Sequence, residues 1–120
     1  MTQVINLNEK LSLFSERWTP KVVAAMNDVH FKVAKIEGDF VWHQHEHTDE
    51  LFLVLGGEFE MQLRDRTVRV SEGEMIVIPA GVEHRPCAKK ECHLLLAEIA
   101  GTVNTGDAGG DLTAPEDDWV

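Results

Sequence analysis

An all-β barrel or sandwich is the fold class the sequence predicts, and three observations predict it. Short runs rich in β-branched and apolar residues recur at intervals of about 8 to 12 residues, the spacing of such folds. Gly, Pro, Asn or Asp punctuates most of the gaps between them. Helical periodicity is almost absent, and no repeat of roughly 20 to 50 residues is visible.

The elements follow in order. Residues 1–20 read as an N-terminal segment in which Asn8 caps one short helix over Glu9 to Phe14, with Leu7, Leu11 and Phe14 on one face, and Pro20 stops anything longer. Lys21 to Met26 and Val29 to Ile36 flank the turn signal Asn27-Asp28 and read as a hairpin. Gly38-Asp39 breaks the chain ahead of a strand over Phe40 to His47, and Thr48-Asp49 precedes another over Glu50 to Leu55. Gly56-Gly57 reads as a tight hairpin turn into Glu58 to Arg64, where Phe59, Met61 and Leu63 alternate with polar residues. Asp65-Arg66 leads into Thr67 to Val70, and Ser71 to Glu74 into Met75 to Ile78, read as buried on both faces. Pro79 to Gly81 then interrupts, and Glu83 to Cys87 and Glu91 to Ala100 form a last hairpin around Lys89-Lys90. Residues 21–100 are thus the barrel, and residues 101–120 an acidic, Gly-rich C-terminal tail, either disordered or strapped across another surface.

Size and charge narrow the function. At 120 residues with 43% apolar content, the chain is one domain's worth and can bury a core unaided. A formal charge of −10 argues against nucleic acid and anionic membrane surfaces as partners, since both are recognised through Lys and Arg patches. The run Leu51 to Leu55 is too short to span a bilayer and no leader pattern opens the chain, so a cytoplasmic protein is expected. Cys87 and Cys92 are not spaced like a zinc ribbon or a redox pair. The hairpin register would set them opposite each other, but in a reducing compartment free thiols are expected.

The chemistry concentrates in one stretch. His43, His45 and His47 are half of the chain's six histidines. In a strand they project from one side with bases about 7 Å apart, which suits convergence on one ion. Beyond them the chain has His43-Gln44-His45, four residues, Glu50, six residues, Gly57, and further on Gly73, Pro79, Gly81 and His84.

In these two blocks the chain resembles a small single-domain cupin (the cupin type-2, mannose-6-phosphate isomerase-like group). The first block matches the family's first motif, although Gly38 stands one residue nearer the histidines than its leading glycine. The second matches the Gly, Pro-x-Gly and His positions of the second motif, with Ala88 where an asparagine would stand. The resemblance implies the cupin double-stranded β-helix, a jelly-roll barrel. It also implies metal ligands at His43, His45, Glu50 and His84, a set suited to divalent Fe, Mn, Ni, Co or Zn. Registering the motif on His45 and His47 would spoil the match, which leaves His47 as a pocket-rim or surface histidine. Phe52 and Met26 are further pocket candidates, and the hairpin register brings His93 onto the face of His84.

Such a protein is expected to be a metal-dependent enzyme of isomerase, epimerase or dioxygenase type, acting on a small polar metabolite such as a sugar or keto compound. The other reading is a non-catalytic small-molecule or sugar-binding module. The chain has no tyrosine, so a tyrosinate base is disfavoured and Glu50 is the candidate catalytic base. A jelly roll this short has sheet edges to protect, and a homodimer is expected.

Overall fold

One long strand organises the fold. The computed structural model describes residues 2–120 and contains α1 (Leu7–Leu11), β1 (Lys21–Met26), β2 (Val29–Asp39), β3 (Glu50–Gly56), β4 (Glu58–Leu63), β5 (Thr67–Ser71), β6 (Met75–Ile78) and β7 (His84–Ile99). β2 runs antiparallel along most of β7, from Val29 opposite Ile99 to Asp39 opposite Cys87. On the other side of β7, β3 takes the C-terminal half, with Leu51 opposite Ala97, and β4 takes the N-terminal half, with Leu63 opposite His84. β6 adds to β3, β5 to β4 and β1 to β2, all antiparallel.

The inward residues of six strands meet in one core. Ala34 and Ile36 of β2, Phe52 and Val54 of β3, Phe59 and Met61 of β4, Val70 of β5, Ile78 of β6, and Ala88, Cys92, Leu94 and Leu96 of β7 pack together. A sheet can bring all of these to one cluster only by wrapping around it, which makes the jelly-roll barrel. Truncating a fully buried member such as Met61 to alanine should cost about 2–5 kcal/mol. On the outer face, Leu11 and Phe14 pack against Val23 and Val33, so the N-terminal segment covers part of the sheet.

The hairpin of β1 and β2 is as the sequence predicts, with Met26 opposite Val29. Other boundaries differ, each for a local reason. The helix starts at Leu7, because Asn6 rather than Asn8 is its cap: its side-chain oxygen accepts the Glu9 N–H at 3.0 Å. Gly38-Asp39 does not end β2; the strand runs on through Gly38, and the register shift between Ile36 and Gly38 comes from the extra residues of β7 between their partners Cys92 and Ala88. Phe40 to His47 is not a strand, since polar residues occupy both of its alternations and no apolar face ties it to a sheet; its backbone meets the rest of the barrel at separate points, Phe40 on Pro86, His43 on His84 and His45 on Gly81.

Gly56-Gly57 and Lys89-Lys90 do not make hairpins. β3 and β4 lie end to end along β7, and Gly57 makes the bend between them at φ +83°. Opposite that bend β7 runs straight through Lys89 and Lys90 with a bulge of its own. The two irregularities fit each other: a Cβ on Gly57 would stand 3.2 Å from the Glu91 carbonyl oxygen. Cys87 therefore faces Asp39 and Glu60, Cys92 faces Ile36, and both thiols are free. Burial pushes the Cys92 thiol up to about 12.

β6 is buried on one face rather than two. Met75 and Val77 are 64% and 51% exposed, because β6 is an edge strand paired to β3 alone. The segment after Gly101 is strapped over the barrel and ends by lining the β1 edge, where Val22 donates to the Asp118 carbonyl at 2.7 Å and accepts from Val120 N–H at 3.1 Å. Among the described residues, no helix is long and apolar enough to cross a membrane.

Candidate metal centre

Four buried side chains converge at one end of the barrel. Glu50 opens β3 and His84 opens β7, so the sheet register places both. His43 and His45 come from the irregular segment that crosses the barrel mouth, held there by a backbone bridge between His43 and His84. One ligand atom from each of His43, His45, Glu50 and His84 lies within 4.8 Å of the others, and all four residues are buried. His45 Nε2 and His84 Nε2 stand 3.1 and 3.4 Å from Glu50 Oε1.

The hydrogen bonds fix which ring nitrogens face inward. His43 Nδ1 lies 2.9 Å from the Val41 carbonyl, and His84 Nδ1 lies 2.9 Å from the Val82 carbonyl. A carbonyl only accepts, so each Nδ1 carries the proton and each Nε2 presents a lone pair to the cluster. Inside, His45 Nε2, His84 Nε2 and Glu50 Oε1 are buried without a hydrogen bond of good geometry. Unsatisfied buried polar atoms are costly, and three pointing at one small space are what a bound cation would satisfy.

The electrostatics agree. Burial, and then the neighbouring His84, push the His43 imidazole down to about 4, so at neutral pH it carries a lone pair rather than a proton. Burial alone would raise the Glu50 carboxyl, but His45, His84 and Glu98 around it outweigh burial and hold it well below the usual carboxylate range. Three imidazoles with one carboxylate suit a divalent transition metal better than a hard oxygen-seeking ion. The residues could therefore hold such a metal.

The other sequence candidates are scattered. Phe52 is buried with its ring centroid 6.0 Å from that of His84. His47 is fully in solvent, with a side chain 93% exposed, because the segment is not a strand and shared parity with His43 has no structural consequence. His93 does not share the face of His84: with β7 unbroken, even-numbered residues point inward and His93 points out, 3.0 Å from Glu91. Met26 is 57% exposed at the far tip of the first hairpin.

The site also includes residues the motifs do not contain. Beside it lies a cavity of about 30 Å³, walled mainly by apolar residues including Trp18, Phe40, Phe52 and Leu96, with Asn104 among the few polar ones. The C-terminal strap contributes Asn104 to its wall and is tied to the neighbouring segment farther along. Asp107 accepts the Gln44 N–H at 2.9 Å, and the Asp107 N–H donates to the Gln44 carbonyl at 3.2 Å, one residue from His43 and His45. A larger surface groove of about 700 Å³ lies against β4, β5 and the β7 bulge and holds none of the four clustered residues. Volume alone would have chosen the wrong place; the convergence of ligand atoms decides for the smaller one.

The family model for the cupin domain matches residues 29–98, which contain all four clustered residues. The chain is 51% identical to a cupin-2 domain containing protein from Shewanella frigidimarina NCIMB 400, whose crystal structure superposes with a TM-score of 0.79 over 80% of this chain and 94% of that one. The crystal structure of NMB1881 from Neisseria meningitidis is 32% identical, with a TM-score of 0.75 over 81% of this chain and 99% of that one. The uncharacterized protein YdbB of Bacillus subtilis (strain 168) is 30% identical over 86 residues, 71% of this chain and 76% of that protein.

Proposed function

The chain belongs to the cupin family, and from that premise we propose that it is a metal-dependent enzyme, with a divalent Fe, Mn, Ni, Co or Zn ion held by His43, His45, Glu50 and His84. The observation that carries this reading is the trio of buried, unsatisfied atoms facing one another: His45 Nε2, His84 Nε2 and Glu50 Oε1. A bound metal would supply Lewis-acid polarisation or, if redox-active, electron transfer, as isomerase, epimerase or dioxygenase chemistry requires. The chain's own residues supply the rest. The His43 and His84 imidazoles are fixed by the Val41 and Val82 carbonyls, and the walls beside the cluster are mainly apolar. Glu50 remains the candidate base, but the neighbours that keep it ionised also make it a weak proton acceptor, so its role as ligand has the stronger support.

The walls bear on substrate class. Of the sugar and keto compounds that the family resemblance suggests, the largely apolar lining favours a small keto compound with an apolar body over a polyhydroxylated sugar. The second reading is a non-catalytic small-molecule- or sugar-binding module, and the narrow cavity, about 30 Å³, is neutral between the two. Metal analysis of protein purified without added metal, followed by oxygen uptake and a panel of keto compounds and sugars, separates the two. Metal present with turnover supports the enzyme; tight ligand binding without turnover under any metal supports the module.

Two further features belong to this reading. The free thiols Cys87 and Cys92 suit a reducing cytoplasm. The outer face of β6, β3 and β7 presents Met75 and Val77 beside Leu51, Leu53, Ala97 and Ile99, an uncharged surface on a strongly acidic chain, and it is the face through which a homodimer would form.

A further inference from the structure

Trp18 stands where its backbone conformation suits a glycine. Its φ is +58°, and every other described residue with a positive φ is a glycine apart from Asn27, which turns the first hairpin. A bulky side chain is strained in that conformation and keeps it only where its surroundings over-determine it. Here they do. The Trp18 N–H donates to the Lys35 carbonyl at 2.9 Å, the indole Nε1–H donates to the Glu37 carbonyl at 2.9 Å, and the Trp18 carbonyl accepts from Asn104 Nδ2 at 3.1 Å.

Those bonds hold a flat ring beside the cluster. The indole stacks on Phe40 with centroids 4.6 Å and planes 17° apart, and Phe40 meets the His43 imidazole edge-on at 5.3 Å. Trp18, Phe40, His43 and Glu50 all line the cavity of about 30 Å³, a space so narrow that its walls decide what fits. Phe40 is 7% exposed and Trp18 half-buried, which makes Trp18 the outer member of the stack. Anchoring the N-terminal segment does not by itself require this ring. The two backbone bonds need no side chain, and Leu11 and Phe14 already pack the segment onto the sheet.

We propose that Trp18 is the specificity-determining residue of this cavity: its indole, stacked on Phe40, walls the space beside His43 and Glu50 and restricts it to ligands with a compact body next to the metal-binding group. The inference rests on the metal reading above and deepens it by naming the residue that sets ligand size. Because Trp18 precedes β1, its side chain can be exchanged without interrupting a strand.

Cobalt(II) protein is a suitable probe, because its visible absorption changes when a further ligand reaches the metal. Two hydroxamates share one chelating head and differ in body: acetohydroxamate carries a methyl group and benzohydroxamate a phenyl ring. Corrected for their affinities for free cobalt, wild type should bind acetohydroxamate about tenfold or more tightly than benzohydroxamate. Trp18→Gly removes the ring and adopts a φ of +58° without strain. It should keep acetohydroxamate affinity within about threefold of wild type and gain about tenfold or more for benzohydroxamate. Trp18→Phe, which keeps a ring against Phe40, should stay close to the wild-type preference. A purely structural role would lower Tm and weaken both hydroxamates alike, so the ratio of the two affinities decides. If Trp18→Gly does not fold, Trp18→Leu is read the same way. An unchanged ratio in the folded variant, a wild type without preference, or a cobalt protein that binds neither hydroxamate overturns the proposal and leaves the metal reading intact. A wild-type protein that takes up no cobalt overturns the metal reading, and this proposal with it.

Discussion

The main chains of His43 and His84 hold each other directly: the His43 N–H donates to the His84 carbonyl at 3.1 Å, and the His84 N–H donates to the His43 carbonyl at 2.9 Å. Residues 41 positions apart are locked together before any ion is present. An ion bound by both side chains would close the same loop a second time, so metal binding should stabilise the fold. At a free metal concentration of 1,000 times Kd the gain is about 4 kcal/mol, a rise of roughly 10 °C or more in Tm for a domain of this size. Thermal unfolding with and without metal measures it. A chelator should reverse the shift, and His84→Ala should abolish it; a Tm indifferent to every divalent metal would contradict the proposed site.

Acid should weaken the metal-free protein through His43. Its imidazole is held down to about 4, against an ordinary value near 6.5, by burial and by His84. Between those two values the unfolded chain binds a proton that the folded chain does not, so stability falls as pH is lowered from about 6.5 to about 4 and levels off below. The shift corresponds to about 3 kcal/mol at most. Glu98, raised by burial and by Glu50, acts in the opposite direction. The contribution of His43 is therefore best isolated as the difference between wild type and His43→Phe in denaturant unfolding at several pH values, without metal. A difference constant from pH 7 to pH 4 would contradict the buried, neutral imidazole.

Where the sequence could be read, local signals matched non-local structure. Phe59 and Met61 are inward because strand periodicity is two, and the four clustered residues are legible because a fixed spacing is itself a statement about register. The two misread hairpins share one cause. Gly56-Gly57 and Lys89-Lys90 carry the same local signature whether the chain reverses or merely bends, and only pairing with a distant strand decides. Lys32 and Glu98 escaped notice for the complementary reason. A charge among alternating apolar residues is usually on the surface, yet the parity of Leu94 and Leu96 already placed Glu98 inside, and that of Ala34 and Ile36 placed Lys32 there. Composition left the tail open between disorder and a strap, since Gly and Asp read as disorder even where Thr105 is fully buried.

Val77 and Met75 should matter to assembly more than to folding. Both are outward on an edge strand, 51% and 64% exposed, and next to apolar residues of β3. A charge there costs little in a monomer but must be desolvated in an interface. Light scattering should give a dimer for wild type at micromolar concentration, and Met75→Glu with Val77→Glu should give a monomer of nearly unchanged Tm. A wild-type monomer would remove the dimer reading altogether.

The strap should act at Gly106. Its φ is +53°, and a Cβ there would collide with the Gln44 carbonyl oxygen and crowd His45 Nδ1 at 3.1 Å. Gly106→Ala therefore forces the strap away from the segment that carries His43 and His45. A substitution of this kind costs about 1–3 kcal/mol if the surroundings must move. Here much of that can be relieved by releasing the strap, because the core cluster of the barrel draws no residue from it. The expected outcome is a modest fall in Tm, together with faster proteolysis after residue 101 and faster loss of bound metal to a chelator. If the strap also limits substrate access, turnover of bulkier keto compounds should rise relative to small ones in the same variant. Unaltered proteolysis and metal-release rates would mean that the strap does not gate the cavity beneath it.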